Sequence, residues 1–503
     1  MPRAPSQLLR DALGLAAATL VLLGLLEAGC RVAGVGAPER IALPPKPPGS
    51  FRILALGEST VLGVPEGEYG FVSFLAHELP RMASGRALDL RNLARSGEGS
   101  AFVRRTLEQT IDGADLVIVL MGHNEFLVAD RTRGWRGALW RLRESSWLVR
   151  GLAHATGRDA VAVEPPLPEH IEPVWPGSAY ARNVLDGFQR NLDAIVALAR
   201  ARGVPLILCT APSNVADWPP ASLRVARPRA DDFARAAQAV RSLLAAGRPG
   251  EARAEASAAR ARLGDDALLL YLEARALRAE GGADEARPLF GRARDLDLVP
   301  RRASDEINEA VRKAAGPPGV HLVDAVRILE ADAPDGLVGF EEIGDNCHPT
   351  PRGHALIGRA IAASMADAGI LLSRGAAIGS VEEWLARLDR RLGDEPARLR
   401  TRARWLLSNA LYAMKTPFFN FEAARRYLDE VRRIAPSDWR VWANLATLSL
   451  LDGDVKSGRL ELFRATRLRG APLDPGERGN VPYLAEALSQ SGVELPGPSA
   501  GGS

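Results

Sequence analysis

The chain has 503 residues, 47% hydrophobic and 25% charged, a globular balance with room for two or three domains. Its net charge of +3 arises from 64 basic and 61 acidic residues spread along the chain, with no basic block, which excludes nucleic acid as a partner. Three widely spaced cysteines, Cys30, Cys209 and Cys347, exclude a disulfide framework and a zinc site.

The first informative element is N-terminal. Residues 12–26 carry no charge and follow Arg3 and Arg10; extension through Cys30 approaches a membrane span if Glu27 sits at an interface. Residues 1–30 are read as an uncleaved anchor. A cleaved signal peptide has the same charged and apolar regions. A lipid-modified Cys30 would leave Glu27 in a place that such signals keep apolar, and a buried core helix is the remaining alternative. Positive charge on the short side puts the rest of the chain outside the cytoplasm, in a periplasm or at the cell surface. Residues 31–50, with GAPERIALPPKPPGS, read as a stiff spacer.

From Phe51 onward short apolar runs alternate with helical text. RILAL, LDLRNLA, ADLVIVLMG, VPLILCTAP and VHLVDA predict strands, and residues 71–82 and 101–109 predict helices between them. This alternation predicts a three-layer α/β/α fold around a parallel sheet, with ligands bound beyond the carboxyl ends of the strands. The first strand runs into Gly57-Glu58-Ser59, which places Ser59 on that edge. The second leads into Asn92 to Gly99, whose glycines let a backbone N–H approach a substrate, and the third ends at Gly122-His123-Asn124-Glu125. Late in the chain Asp345 precedes His348 by three residues. Serine attack needs a base, a carboxylate to orient it and donors for the oxyanion, and all of these are present.

These blocks resemble the SGNH or GDSL-type hydrolases, a family with a flavodoxin-like α/β fold. The resemblance implies Ser59 as nucleophile, His348 as base and Asp345 as its orienting acid. It also implies an oxyanion hole from Ser59, Gly97 and Asn124, with no metal or cofactor. Glu58 and Glu125 stand where the family has aspartates; with His123 they are candidate substrate contacts, and His123 reads equally as a packing histidine in its loop. His354 is expected at the start of the final helix rather than at the site. Cys347 is not expected to act as a nucleophile.

The resemblance covers about 51–222 and 300–375, so the hydrolase is expected as 51–227 and 300–375. Between them Ala252 and Ala286, and Ala259 and Ala293, are 34 residues apart. Near the C-terminus Ala424 and Gly458, Leu428 and Leu462, and Val431 and Ala465 repeat that spacing, with Pro436 and Trp442 near a turn. That period is similar to tetratricopeptide arrays. All-α helical-repeat segments are therefore expected at 228–299 and 376–480, followed by a flexible tail at 481–503. The Trp-rich stretch 134–147 reads as a lid or packing helix, or as a membrane-surface helix.

Taken together, the residues and the resemblance lead to the expectation of a membrane-anchored, extracytoplasmic esterase acting on acyl esters of envelope glycans or lipids. Its repeats would be free to take a protein partner. Acyl transfer by the same site, and an inactive hydrolase serving as a repeat-based scaffold, are the alternatives.

Overall fold

The computed structural model describes residues 5–37, 41–83, 85–131, 142, 146–156, 172–221, 228–415 and 418–495. Residues 134–141 and 143–145 of the Trp-rich stretch lie outside these. The chain divides into two compact units, Met1–Pro44 with Leu127–Ile171, and Pro45–Phe126 with Glu172–Ser503.

In the first unit the helix Pro5–Ala33 contains the apolar run Leu13–Ala33, of mean hydropathy 2.0, long enough to cross a membrane and not covered by protein. Glu27 interrupts that run, and its carboxylate accepts hydrogen bonds from the N–H groups of Trp147 (3.1 Å) and Leu148 (3.0 Å) and from the Ser146 hydroxyl (2.7 Å). Its charge thus meets the N-terminus of the helix Trp147–Ala155, where unsatisfied N–H groups favour an anion.

The second unit is built on five parallel strands: β1 (Phe51–Gly57), β2 (Leu88–Asn92), β3 (Leu116–Leu120), β4 (Leu206–Cys209) and β5 (Val320–Val323). Their spatial order is β2-β1-β3-β4-β5. Ile53, Leu54, Leu56 and Leu116 to Leu120 are at most 1% exposed, because helices cover both faces of the sheet. Phe71–Met82 and Pro351–Ala368 pack together on one face, while Ala179–Ala201 packs with Ser100–Thr110 and Asp305–Ala314 on the other. This is the expected α/β/α sandwich. Burial of each large apolar side chain contributes roughly 1.5–3 kcal/mol. Side-chain oxygens of Ser178, Ser304 and Thr350 accept N–H bonds at the starts of three of these helices and fix where they begin.

Between β4 and β5 the helices Ala230–Ala245, Pro249–Leu263, Ala267–Ala279 and Ala283–Asp295 pack in sequence. Ala252, Ala259, Ala286 and Ala293 are buried there beside Tyr271 and Phe290, and Ala216 and Leu337 complete the same core. After the sheet, Val381–Leu392, Glu395–Met414, Phe421–Ile434, Trp439–Leu451 and Val455–Arg469 form a second helical series. The positions spaced by 34 residues again face inward: Ala424, Leu428, Val431, Leu462 and Ala465 are fully buried. Small residues let these helices approach. A Cβ added at Gly458 would lie 2.5 Å from Cδ2 and 2.6 Å from Cγ of Leu450. Gly458→Ala is expected to destabilise the protein by about 1–3 kcal/mol through overpacking, measured as a lower urea midpoint with unchanged far-UV circular dichroism before the transition.

Candidate active site

Connections from β1 diverge: the chain goes to β2 on one side, and β3 lies on the other. The carboxyl ends of β1 and β3 therefore border the switch point, where open α/β sheets leave a crevice. Gly57, the last residue of β1, pairs with Leu120 of β3. A Cβ at Gly57 would stand 2.1 Å from the Leu120 carbonyl oxygen, so a side chain there would push the two strand ends apart. Glu58 follows, and Ser59 opens the short helix Ser59–Leu62, closed by Gly63 in left-handed backbone (φ 88°).

The structure brings Ser59, His348 and Asp345 together. Ser59 Oγ lies 2.7 Å from His348 Nε2, and His348 Nδ1 lies 2.6 Å from Asp345 Oδ2. A carboxylate only accepts, so Nδ1 carries the proton and Nε2 is left to accept from the Ser59 hydroxyl. Asp345 Oδ1 accepts the N–H groups of Cys347 (2.9 Å) and His348 (2.7 Å), which fixes the carboxylate plane. All three side chains are largely buried, Ser59 retaining 7% exposure, His348 5% and Asp345 2%.

The other edge of the crevice comes from the loops after β2 and β3. Asn92 donates from Nδ2 to the Val61 carbonyl (3.0 Å), tying the start of the second loop to the Ser59 helix. Gly97 adopts left-handed backbone (φ 76°) in that loop. Asn124 uses one amide hydrogen on the Glu98 carbonyl (3.1 Å). A primary amide has two hydrogens, so a second remains for another acceptor.

The three candidate substrate contacts are turned into the protein, and His123 takes the packing role. Glu58 is fully buried, and its two oxygens accept the N–H groups of Gly122 (2.7 Å) and His123 (3.1 Å). It is a strand tie. Burial, followed by the nearby Glu125 carboxylate, pushes its pKa up to about 8 against the pull of these N–H bonds. Glu125 is turned inward onto the first residue of the helix Ser100–Thr110, where it accepts the Ser100 N–H (2.7 Å) and hydroxyl (2.8 Å). His123 is 2% exposed and accepts the Ala303 N–H at Nδ1 (3.1 Å). Burial, then the neighbouring His348, pushes His123 down to about 3, so its imidazole is neutral.

His354 lies in the helix Pro351–Ala368 and accepts the Phe71 N–H at Nδ1 (3.2 Å), away from the triad hydrogen bonds. The thiol of Cys347 is buried and raised well above its ordinary range by burial, which suppresses thiolate chemistry. Among the described residues, the ligand atoms of Asp345, Cys347 and His348 lie within 4.8 Å of one another. They fit a metal poorly. The acid and imidazole are spent on each other and on Ser59, and Asp345 Oδ1 is taken up by the Cys347 and His348 N–H groups.

Sequence reasoning missed the residues that hold the Asp345 loop. Asn214 donates its N–H to the Asn346 carbonyl (3.1 Å) and its amide to the Ile343 carbonyl (3.1 Å). Tyr412 and Tyr427 reach the same loop from the C-terminal helices. No local motif marks them, because each acts across a long stretch of chain.

No family model matches the sequence, and no curated protein matches it. Solved structures similar to it include an alpha/beta hydrolase enzyme from the metagenome of Lake Arreo, Spain, at 14% identity and TM-score 0.30, covering 64% of this chain and 97% of that one. Another is described as a GDSL-like lipase from Parabacteroides merdae, at 13% identity and TM-score 0.32, covering 66% and 100%. A third is the psychrotrophic esterase EstA from Pseudoalteromonas sp., at 14% identity and TM-score 0.26, covering 63% and 97%.

The Glu58 tie has a pH signature. Its carboxyl ionises near 4.5 in an unfolded chain and near 8 in the folded one, so between those values the unfolded state releases a proton that the folded state keeps. Stability from this group therefore falls as pH rises through that window. In Glu58→Gln the side-chain nitrogen cannot accept an N–H bond, and a loss of about 1–3 kcal/mol is expected at acidic pH. Thermal unfolding between pH 5 and 9 should show the gap between wild type and Glu58→Gln narrowing toward the alkaline end.

Proposed function

We propose that the chain is a serine esterase of the SGNH or GDSL type, acting outside the cytoplasm on acyl esters, acetyl esters above all, of envelope glycans or lipids. The observation that carries this reading is the pair of hydrogen bonds, 2.7 and 2.6 Å, that links Ser59 through His348 to Asp345 at the carboxyl edge of a parallel sheet. Ser59 Oγ attacks the ester carbonyl while His348 Nε2 takes its proton. Asp345 holds the imidazole in the required tautomer and stabilises its cation. The N–H groups of Ser59 and Gly97 and the amide of Asn124 receive the oxyanion. Collapse expels the alcohol, protonated by His348, and a water activated by the same imidazole releases the acid.

The apolar helix Pro5–Ala33 is taken as a retained membrane anchor, and the two helical series as tetratricopeptide-type arrays open to a protein partner. Their support is the helix's length and hydropathy and the inward-facing small residues at 34-residue spacing.

The test is labelling of the purified protein with a fluorophosphonate probe alongside turnover of short acyl esters. Wild type is expected to label at Ser59. Ser59→Ala should lose labelling and at least about 10⁴-fold in kcat. Asn124→Ala should keep Ser59 and lose about 10²–10³-fold in kcat. A wild type that neither labels at Ser59 nor turns over any ester would leave the scaffold reading in its place; acyl groups appearing on a sugar acceptor rather than in water would indicate transfer.

A further inference from the structure

Asp345 and His348 sit on a tight turn closed by a hydrogen bond from the Gly344 N–H to the His348 carbonyl (2.8 Å). The hydrolase holds this turn from within: the Thr60 hydroxyl donates to the Cys347 carbonyl (3.4 Å), and the Asn346 amide donates to the Arg301 carbonyl (2.6 Å). The C-terminal helices hold it from outside. Tyr427, on Phe421–Ile434, donates its hydroxyl to the Gly344 carbonyl. Tyr412, on Glu395–Met414, donates its hydroxyl to Asn346 Oδ1 (3.2 Å).

These two hydroxyls grip the residues immediately before and after Asp345. The Trp405 ring fills the space beside Gly344, where a Cβ would meet Cζ2 at 2.8 Å, and the Tyr412 ring stands edge-on to the His348 imidazole with centroids 5.7 Å apart. Trp405 and Tyr427 are each 3% exposed and Asn346 is 2% exposed, so the Tyr427 contact is packed core, and the half-buried Tyr412 reaches a buried partner. A buried hydroxyl that satisfies a buried carbonyl fixes orientation as well as position.

We infer that Tyr412 and Tyr427 are positioning residues that clamp the Asp345–His348 turn, making the first helices of the C-terminal series part of the esterase rather than a detachable recruiting arm. The inference rests on the reading of Ser59, His348 and Asp345 as catalytic. Displacing a reacting group by a fraction of an ångström lowers the rate of the chemical step without altering how substrate is held elsewhere.

The experiment uses the full chain and measures kcat per fluorophosphonate-labelled site, so that misfolded molecules drop out of the count. Tyr427→Phe and Tyr412→Phe are each expected to lose about tenfold in kcat per labelled site, with KM changed by less than about twofold. Tyr271→Phe is the control. It removes a hydroxyl that is as buried as that of Tyr427 and donates from the inserted helices to the Ala216 carbonyl (3.1 Å); the variant should retain the wild-type kcat per site. If Tyr427→Phe yields no folded protein, Tyr412→Phe alone decides. Unchanged kcat per site in the variants, or a drop shared equally by Tyr271→Phe, overturns the clamp while leaving the esterase reading intact. A wild type that does not label at Ser59 overturns that reading, and the clamp with it.

Discussion

The carboxyl group of Glu58 joins the ends of two strands that the chain reaches more than 60 residues apart, receiving N–H groups from Gly122 and His123 (sequence separations 64 and 65). Ser59 and Asn124 take their positions from this tie. Ser59 follows Glu58 directly, and Asn124 follows His123 directly, so one buried carboxyl sets the spacing between a hydroxyl and an amide from different loops. Gly57 makes the tie possible, since any larger residue there would collide with the Leu120 carbonyl. A buried carboxyl without a cation beside it is costly. Satisfying both of its oxygens with backbone N–H groups is what makes Glu58 tolerable at that place.

The imidazole arrives by a different route. β4 and β5 are hydrogen-bonded neighbours, yet more than 100 residues, with five helices among the described ones, separate them in sequence. That insertion leaves the sheet and returns to it without disturbing the parallel register, because its own alanine-lined core is self-contained apart from Ala216 and Leu337. The same logic does not hold at the C-terminus. There Trp405, Tyr412 and Tyr427 bury against the turn after β5, so the second helical series shares its core with the site.

Much of this was legible in the sequence. The three inner strands β1, β3 and β4 read as apolar runs because both faces of the sheet are buried there, and the 34-residue spacing marked positions that do face inward. The approach of Ser59 to His348 was anticipated from the order of four short blocks, not from any local pattern. What could not be read was the direction of side chains beside those motifs. Glu58, His123 and Glu125 flank Ser59 and Asn124 in sequence and were candidates to face substrate, but successive residues at a strand end point to opposite sides, and these three turn into the protein. Tyr412 and Tyr427 were invisible for another reason: a hydroxyl gripping a backbone carbonyl 83 residues away leaves no composition or period behind it.

The position of that grip in the chain also sets an order of events. Ser59 lies 289 residues before the imidazole it faces, and at about 5–20 residues per second roughly 15–60 s of synthesis separate them. The tyrosine that closes the turn is made later still. The helix Pro5–Ala33 emerges before the Ser59 hydroxyl, Ser59 meets its imidazole partner only after β5 is made, and the turn that carries that imidazole gains its outer contacts only once the helices beyond the sheet have folded onto it. The C-terminal series thus acts as a completion mark: a chain cut short before it would carry Ser59, Asp345 and His348 and still lack the outer contacts on the turn that holds two of them.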